Sequence, residues 1–183
     1  MRIQGAVVIA CVAIVGLSTE AAAQDSPRVG ITMGYPASVG VLWQVSDRVA
    51  LRPELSFTFT DSSSESIVDD QTNFWSLGTG ISVLLYSSLS DNLRTYVAPR
   101  FSYGRTSGDS NSTDSTTDSY MYGGMFGAQY SLSRRFAAFG EVGVNYSHQS
   151  STVTSMIGPA TNTITSHGNA FGIRTAVGVI LYF

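Results

Sequence analysis

The chain ends on "FGIRTAVGVILYF", residues 171–183, a stretch whose large apolar side chains recur at alternate positions. One face carries Phe171, Ile173, Val177, Val179, Leu181 and Phe183 with Thr175, and the other carries Ala170, Gly172, Arg174, Ala176, Gly178, Ile180 and Tyr182. A period of two is typical of a β-strand with two different faces. Chain ends in water are usually polar, so a terminal phenylalanine needs an explanation.

The same alternation recurs throughout the chain without the 3.6-residue period of an amphipathic helix, which predicts an all-β protein. Short connections at 46–48, 87–92 and 133–135 alternate with long polar ones at 61–70, 106–118 and 150–166. This order is typical of an antiparallel up-and-down barrel with short turns at one rim. A turn signal at Tyr35-Pro36 divides the first segment in two. The eight predicted strands are 28–35, 38–45, 49–60, 71–86, 93–105, 119–132, 136–149 and 168–183.

Alternation alone does not decide which face of the barrel is outside, and a soluble ligand-binding barrel would place its apolar face inward. The interior of an eight-stranded barrel is only just wide enough for side chains to fill it, and the apolar face carries too many large rings for that space. The opposite face is small and polar with a few long charged residues, so we predict that it lines the lumen. The predicted inward charges are Arg52, Glu54, Arg94, Arg100, Glu141 and Arg174.

The rings of the apolar face gather at the two ends of the strands, with aliphatic residues between them. The ends near the long connections carry Tyr35, Phe59, Trp75, Tyr103, Tyr120, Tyr146 and Phe171, and the ends near the short turns carry Trp43, Tyr130, Phe136 and Phe183. Amphipathic rings prefer the headgroup layers of a bilayer, so this distribution predicts two aromatic girdles around a transmembrane barrel. Phe183 is then an outward girdle ring.

Residues 1–23 combine one arginine, a short apolar run and Ala21-Ala22-Ala23, which predicts a cleaved signal peptide and a barrel domain over residues 24–183. Cys11, the only cysteine, lies in that run; lipidation there would require a very short signal. A mature chain without a thiol fits an exported protein and excludes cysteine chemistry. All ten cations are arginines and the net charge is −3, which argues against a polybasic nucleic-acid surface.

Three segments carry a family resemblance: "VALRPELSF" (49–57), "YVAPRFSYG" (96–104) and the terminal "GVILYF" (178–183). With them the chain resembles the small outer-membrane β-barrels of Gram-negative bacteria, typified by the OmpA transmembrane domain and OmpX. The resemblance implies a monomer in the outer membrane, in contact with lipid and lipopolysaccharide. It also implies that Gly178, Leu181 and Phe183 form a signal recognised by the barrel-assembly machinery. Ala176 departs from the polar residue more common there.

The inward charges allow two functions: arginine-glutamate pairs that fill the lumen of a structural envelope protein, or a narrow gated ion path in which pairs exchange. Catalysis is not expected. His148 and His167 flank the last long connection, but Ser166 and His167 are adjacent in a strand and point to opposite faces, so they cannot form a nucleophile-base pair. No cofactor or metal motif is recognised.

The long connections give the remaining alternatives. Their acidic residues, opposed by Arg105, are either solvated or bridge to lipopolysaccharide phosphates through divalent cations; they are Asp61, Glu65, Asp69, Asp70, Asp109, Asp114 and Asp118. Residues 152–166 keep a β pattern around Gly158-Pro159, which predicts an exposed hairpin. Because an exposed strand edge can pair with another chain, surface adhesion or partner binding is the second candidate function.

Overall fold

The computed structural model describes residues 29–36, 38–64, 70–88, 90, 92–110, 113–157 and 160–183. The expected signal peptide and Cys11, the loop residues Glu65 and Asp69 and the Gly158-Pro159 turn lie outside these ranges. Within the described ranges no helix is long and apolar enough to cross a bilayer.

Eight antiparallel strands form a closed ring in which each strand pairs with the next and the last pairs with the first. They are β1 (Val29–Tyr35), β2 (Ser38–Ser46), β3 (Val49–Ser64), β4 (Asp70–Ser88), β5 (Leu93–Ser110), β6 (Thr113–Ser131), β7 (Phe136–Ile157) and β8 (Ala160–Tyr182). The predicted eight-stranded up-and-down barrel is confirmed. We call its ends the short-turn rim, where the described part of the chain begins at Val29 and ends at Phe183, and the hairpin rim.

The strands are strongly tilted. The line of paired residues that starts at Thr32 runs round the ring through Gly40, Glu54, Gly80, Ser102, Met121 and Ser147 to Ala170. Thr32 itself pairs with Ile180, ten residues further along β8. Such a stagger over eight strands corresponds to a tilt of roughly 40° from the barrel axis.

Several strands are longer than predicted. The β5–β6 ladder continues to Ser110 and Thr113, and the β7–β8 ladder continues to Ile157 and Ala160. The prediction of an exposed hairpin over 152–166 is therefore confirmed. The prediction of a long loop over 106–118 is wrong, because paired strands occupy most of it. Serine, threonine and aspartate give no apolar alternation where both faces of a sheet meet water, so the sequence pattern ended before the backbone pairing did.

The wall of the barrel is low at one place because β1 and β2 are short. Their last pair is Gly34 with Ser38, and β1 leaves β8 at Tyr35 paired with Val177. Beyond this point β3 continues through residues 56–64 and β8 through residues 160–176 without a strand partner on that side among the described residues. We call this missing part of the wall the wall gap.

The apolar faces point outward, as predicted. At the hairpin rim the rings form cross-strand pairs at one level: Phe59 with Trp75, Tyr103 with Tyr120, and Tyr146 with Phe171. At the short-turn rim the predicted rings Trp43, Tyr130, Phe136 and Phe183 are exposed. The predicted place of Tyr35 in the upper ring level is wrong. It pairs with Val177, six residues along β8 from Phe171, so the short first hairpin does not reach the upper ring level.

Candidate functional site in the barrel interior

Large side chains fill the interior near the short-turn rim, so the expectation of a small and polar lumen is incomplete. Four rings are buried inside, and they are Tyr86, Tyr96, Phe139 and Tyr182. They pack with the buried Leu42, Leu84 and Ile180. Strand parity already places Tyr182 on the inner face in the sequence, and it could have located the other rings too, because Tyr96, for example, has the same parity as Arg100. We call this group the plug.

Hydrogen bonds tie the plug together across the lumen. The Tyr86 hydroxyl donates to Gln129 Oε1 at 3.0 Å, and Gln129 Nε2 donates to the Tyr182 hydroxyl at 2.7 Å. Below them the Arg94 guanidinium lies 4.0 Å from the centre of the Tyr86 ring and donates to the Asp47 carbonyl. Arg94 was predicted to point inward, and its side chain covers the plug at the short-turn end.

Four of the predicted lumen charges form one cluster on top of the plug. Glu141 accepts hydrogen bonds from Arg52 Nη2 at 3.0 Å and from the Tyr96 hydroxyl at 2.7 Å. Glu54 lies between two arginines, 3.3 Å from Arg52 Nε and 2.5 Å from Arg100 Nη1. These two contacts lack the angles of hydrogen bonds, so Glu54 is held by charge. Pairing is required here, because a buried unpaired charge is costly.

Arg174, the fifth member of the predicted network, is placed differently. It lies on the inner face of β8, paired with Gly143, and no carboxylate of the described residues is within ion-pair distance of it. Its Nε atom is buried without a hydrogen-bond partner in the described structure. Above the plug the described lumen thus holds two glutamates against Arg52, Arg100 and Arg174, which leaves one positive charge in excess at this level, while Arg94 lies apart at the short-turn end.

Close packing explains two inward glycines. A Cβ at Gly127 would overlap the ring of Tyr96, and a Cβ at Gly178 would lie 2.6 Å from Phe139 Cζ. Gly178 therefore provides the space that the Phe139 ring occupies in the plug. Leu181 and Phe183 are exposed on the outer face. The function of these three residues as an assembly signal stays a prediction.

The two histidines meet on the outer face of the β7–β8 hairpin. Their rings stack almost in parallel with centroids 6.2 Å apart, and His148 Nδ1 is 2.7 Å from Asn169 Oδ1. Ser166 pairs with Ser151 in a ladder without a bulge, so its side chain lies on the face opposite to His167. Among the residues that the structure describes, no group of three or more potential ligands could hold a metal ion.

One acidic residue is engaged just above the upper rings. The Tyr103 hydroxyl donates to Asp118 Oδ1 at 2.5 Å, and Arg105 Nε lies 3.9 Å from the same oxygen. Asp109 and Asp114 face each other across the β5–β6 ladder. Asp61 and Asp70 belong to the β3–β4 hairpin, where the backbone alone is described. Cation bridging by these residues stays a prediction.

Comparisons with known proteins agree at the level of the fold. No protein-family model and no curated relative matches this sequence. A major outer membrane protein from Thermus thermophilus is 12% identical with a TM-score of 0.54, covering 85% of this chain and 98% of that chain. Neisserial surface protein A is 15% identical with a TM-score of 0.48, and the match covers 85% of this chain and 92% of that chain. Acinetobacter baumannii CarO is 11% identical with a TM-score of 0.41, and the match covers 88% of this chain and 100% of that chain. The Thermus protein shares the fold of this chain, which is that of a small outer-membrane β-barrel.

Proposed function

We propose that the protein is a monomeric, structural barrel of the outer membrane that neither conducts ions nor catalyses a reaction. The observation that carries the proposal is the layered blockage of the lumen. The cluster of Arg52, Glu54, Arg100 and Glu141 lies on the Tyr86–Gln129–Tyr182 layer, and all its members except the partly exposed Arg100 are buried. An ion would have to displace hydrogen-bonded, desolvated groups in both layers, which is costly.

The outer surface supports the membrane part of this proposal. Aliphatic and aromatic side chains are exposed on every strand between the two ring levels, which suits contact with lipid tails rather than water. We infer that lipid and lipopolysaccharide surround this surface. We also infer that the barrel-assembly machinery inserts the chain through its last strand.

Planar-bilayer recording tests the filled lumen. We expect no conductance steps from the purified protein across many insertions, because the plug leaves no continuous water path. Electrophoresis with and without boiling provides the control, since a folded barrel migrates differently until it is heated. Reproducible steps from heat-modifiable protein would overturn the proposal and favour the narrow ion path with exchanging arginine-glutamate pairs.

The edge of β8 favours partner binding as a second candidate function. Above Val177 this strand has no neighbour on the β1 side among the described residues, and residues 160–170 are exposed. Alternate residues of an antiparallel strand direct their backbone groups to the same side. Phe183 donates to the Val29 carbonyl across the β1–β8 pair, so the odd-numbered residues of β8 present N–H and C=O groups at this edge. An extended segment of another protein could pair there.

Substitution of Thr163 by proline tests the edge. Thr163 is odd-numbered, so Thr163→Pro removes an outward N–H while leaving the ladder to β7 intact. Thr163→Val, which keeps that N–H, is the matched control. If partners bind by strand pairing, we expect Thr163→Pro to lower the binding of whole cells to host-cell or matrix surfaces several-fold relative to Thr163→Val. Equal binding by the two variants would count against β-augmentation.

A further inference from the structure

The wall gap lies at the level of the lipid, below the upper rings. From Val177, where β1 ends, to Phe171 at the upper ring level, β8 lacks its neighbour. With ~3.3 Å per residue and the tilt of the strands, the missing wall covers roughly 15 Å of an apolar band about 25 Å tall. The opening therefore faces the outer half of the bilayer rather than the water above it.

Exposure of the flanking side chains is consistent with two free edges. Ile173 and Phe171 on β8 are 80% and 73% exposed, whereas Tyr146, which pairs with Phe171 from the side of β7, is 46% exposed. On the other side of the gap Phe57 and Phe59 of β3 are also strongly exposed. Outward residues that lack a neighbouring strand keep one flank uncovered, which makes an apolar margin on each side of the gap.

The backbone at these margins needs polar partners. Thr175, Ile173 and Phe171 are odd-numbered and direct their N–H and C=O groups into the gap, by the same parity that pairs Phe183 with Val29. Unpaired backbone groups cost several kcal/mol each in hydrocarbon and are tolerated at membrane depth only where they line a protein or water-filled cavity. The upper lumen must therefore be wet at the gap, while the lipid lies directly outside.

Behind the gap the residues that line the lumen become smaller. The plug ends at the Arg52, Glu54 and Arg100 layer, and above it small inward residues such as Ser56 and Gly172 line β3 and β8. A Cβ at Gly172 would meet only Asn145 Oδ1, at 3.5 Å, so space remains beside it. Arg174 lies two residues from Gly172 on the same inner face. Arg94 also has no carboxylate partner among the described residues, but it lies at the short-turn end. Arg174 is thus the described lumen cation without a carboxylate that lies next to the opening.

We propose that the wall gap and Arg174 form a binding site for one long-chain fatty acid taken from the outer leaflet. The carboxylate pairs with Arg174 in the wet upper lumen, and the acyl chain leaves through the gap along the apolar margins of β8 and β3. A single negative charge matches the excess of one arginine among the described lumen charges above the plug. A gap about two strand widths across, ~10 Å, suits one chain better than a multi-chain lipid.

Spin-labelled stearic acid in nanodiscs tests the site, because electron paramagnetic resonance separates immobilised from free chains. At alkaline pH we expect the wild-type barrel to immobilise one stearate per chain. Arg174→Gln should weaken this binding at least tenfold, whereas Arg134→Gln, which removes an exposed arginine at the short-turn rim, should leave it unchanged. The methyl ester of the same probe lacks the charge and should bind at least tenfold more weakly than the acid.

Each outcome decides the proposal. Equal immobilisation by Arg174→Gln and the wild type, or equal binding of acid and ester, would overturn it, as would the absence of an immobilised wild-type signal. Competition by excess acetate would show that the site takes a free anion rather than a lipid, and would also overturn it. Heat-modifiable migration verifies that each variant is folded. The filled-lumen proposal is judged separately by conductance, since the plug lies below the gap.

Discussion

Replacement of Glu141 by alanine is expected to destabilise the folded barrel by about 3–5 kcal/mol, because it leaves the Arg52 guanidinium buried without its main partner. The Tyr96 hydroxyl loses its acceptor in the same change. Glu54 alone must then compensate Arg52 while it also faces Arg100. Urea unfolding in lipid vesicles, followed by tryptophan fluorescence and by gel mobility, measures the difference in free energy.

Replacing both charges together tests whether the loss of stability comes from the unpaired buried charge or from any substitution at this site. A double variant, Arg52→Met with Glu141→Leu, removes both charges and keeps apolar volume, so we expect it to recover most of the stability lost in Glu141→Ala. A loss below about 1 kcal/mol in Glu141→Ala would contradict a buried, mutually dependent ion pair.

Introduction of arginine at Val142 is expected to cost about 2–4 kcal/mol in a bilayer, because this side chain faces outward near the middle of the apolar band. Val142 lies between Phe136 and Tyr146 on the outer face of β7, and its neighbours across the ladders are Phe126 and Thr175. The same vesicle-based unfolding experiment gives the measurement.

Thr154→Arg is the matched control for this substitution. Thr154 lies on the same strand and the same face, but in the part of the β7–β8 hairpin beyond Tyr146. An arginine there should change the unfolding free energy by less than about 1 kcal/mol. Similar losses from both variants would show that the outer face does not contact lipid, and the membrane orientation would have to be abandoned.

The number of strands and the apolar face of each could be read from the sequence alone, although the ends of the long strands could not. Side-chain direction alternates with each residue wherever the backbone is extended, so Arg52, Glu54, Arg100, Glu141 and Arg174 were assignable to the lumen without knowing their neighbours. The alternation of short and long connections likewise predicted the up-and-down order. Both patterns can be read along the chain without knowing which strands are neighbours in space.

The register of the strands, by contrast, cannot be read from the sequence. Which level a residue occupies depends on how eight tilted strands are staggered, and no single strand contains that stagger. For this reason Tyr35, a strand-end ring like Phe171, falls short of the upper ring level, and Arg174 has no carboxylate in reach among the described residues while Arg52 has two. The wall gap has the same origin: hairpin length is visible along the chain, but what a short hairpin leaves open depends on its neighbours.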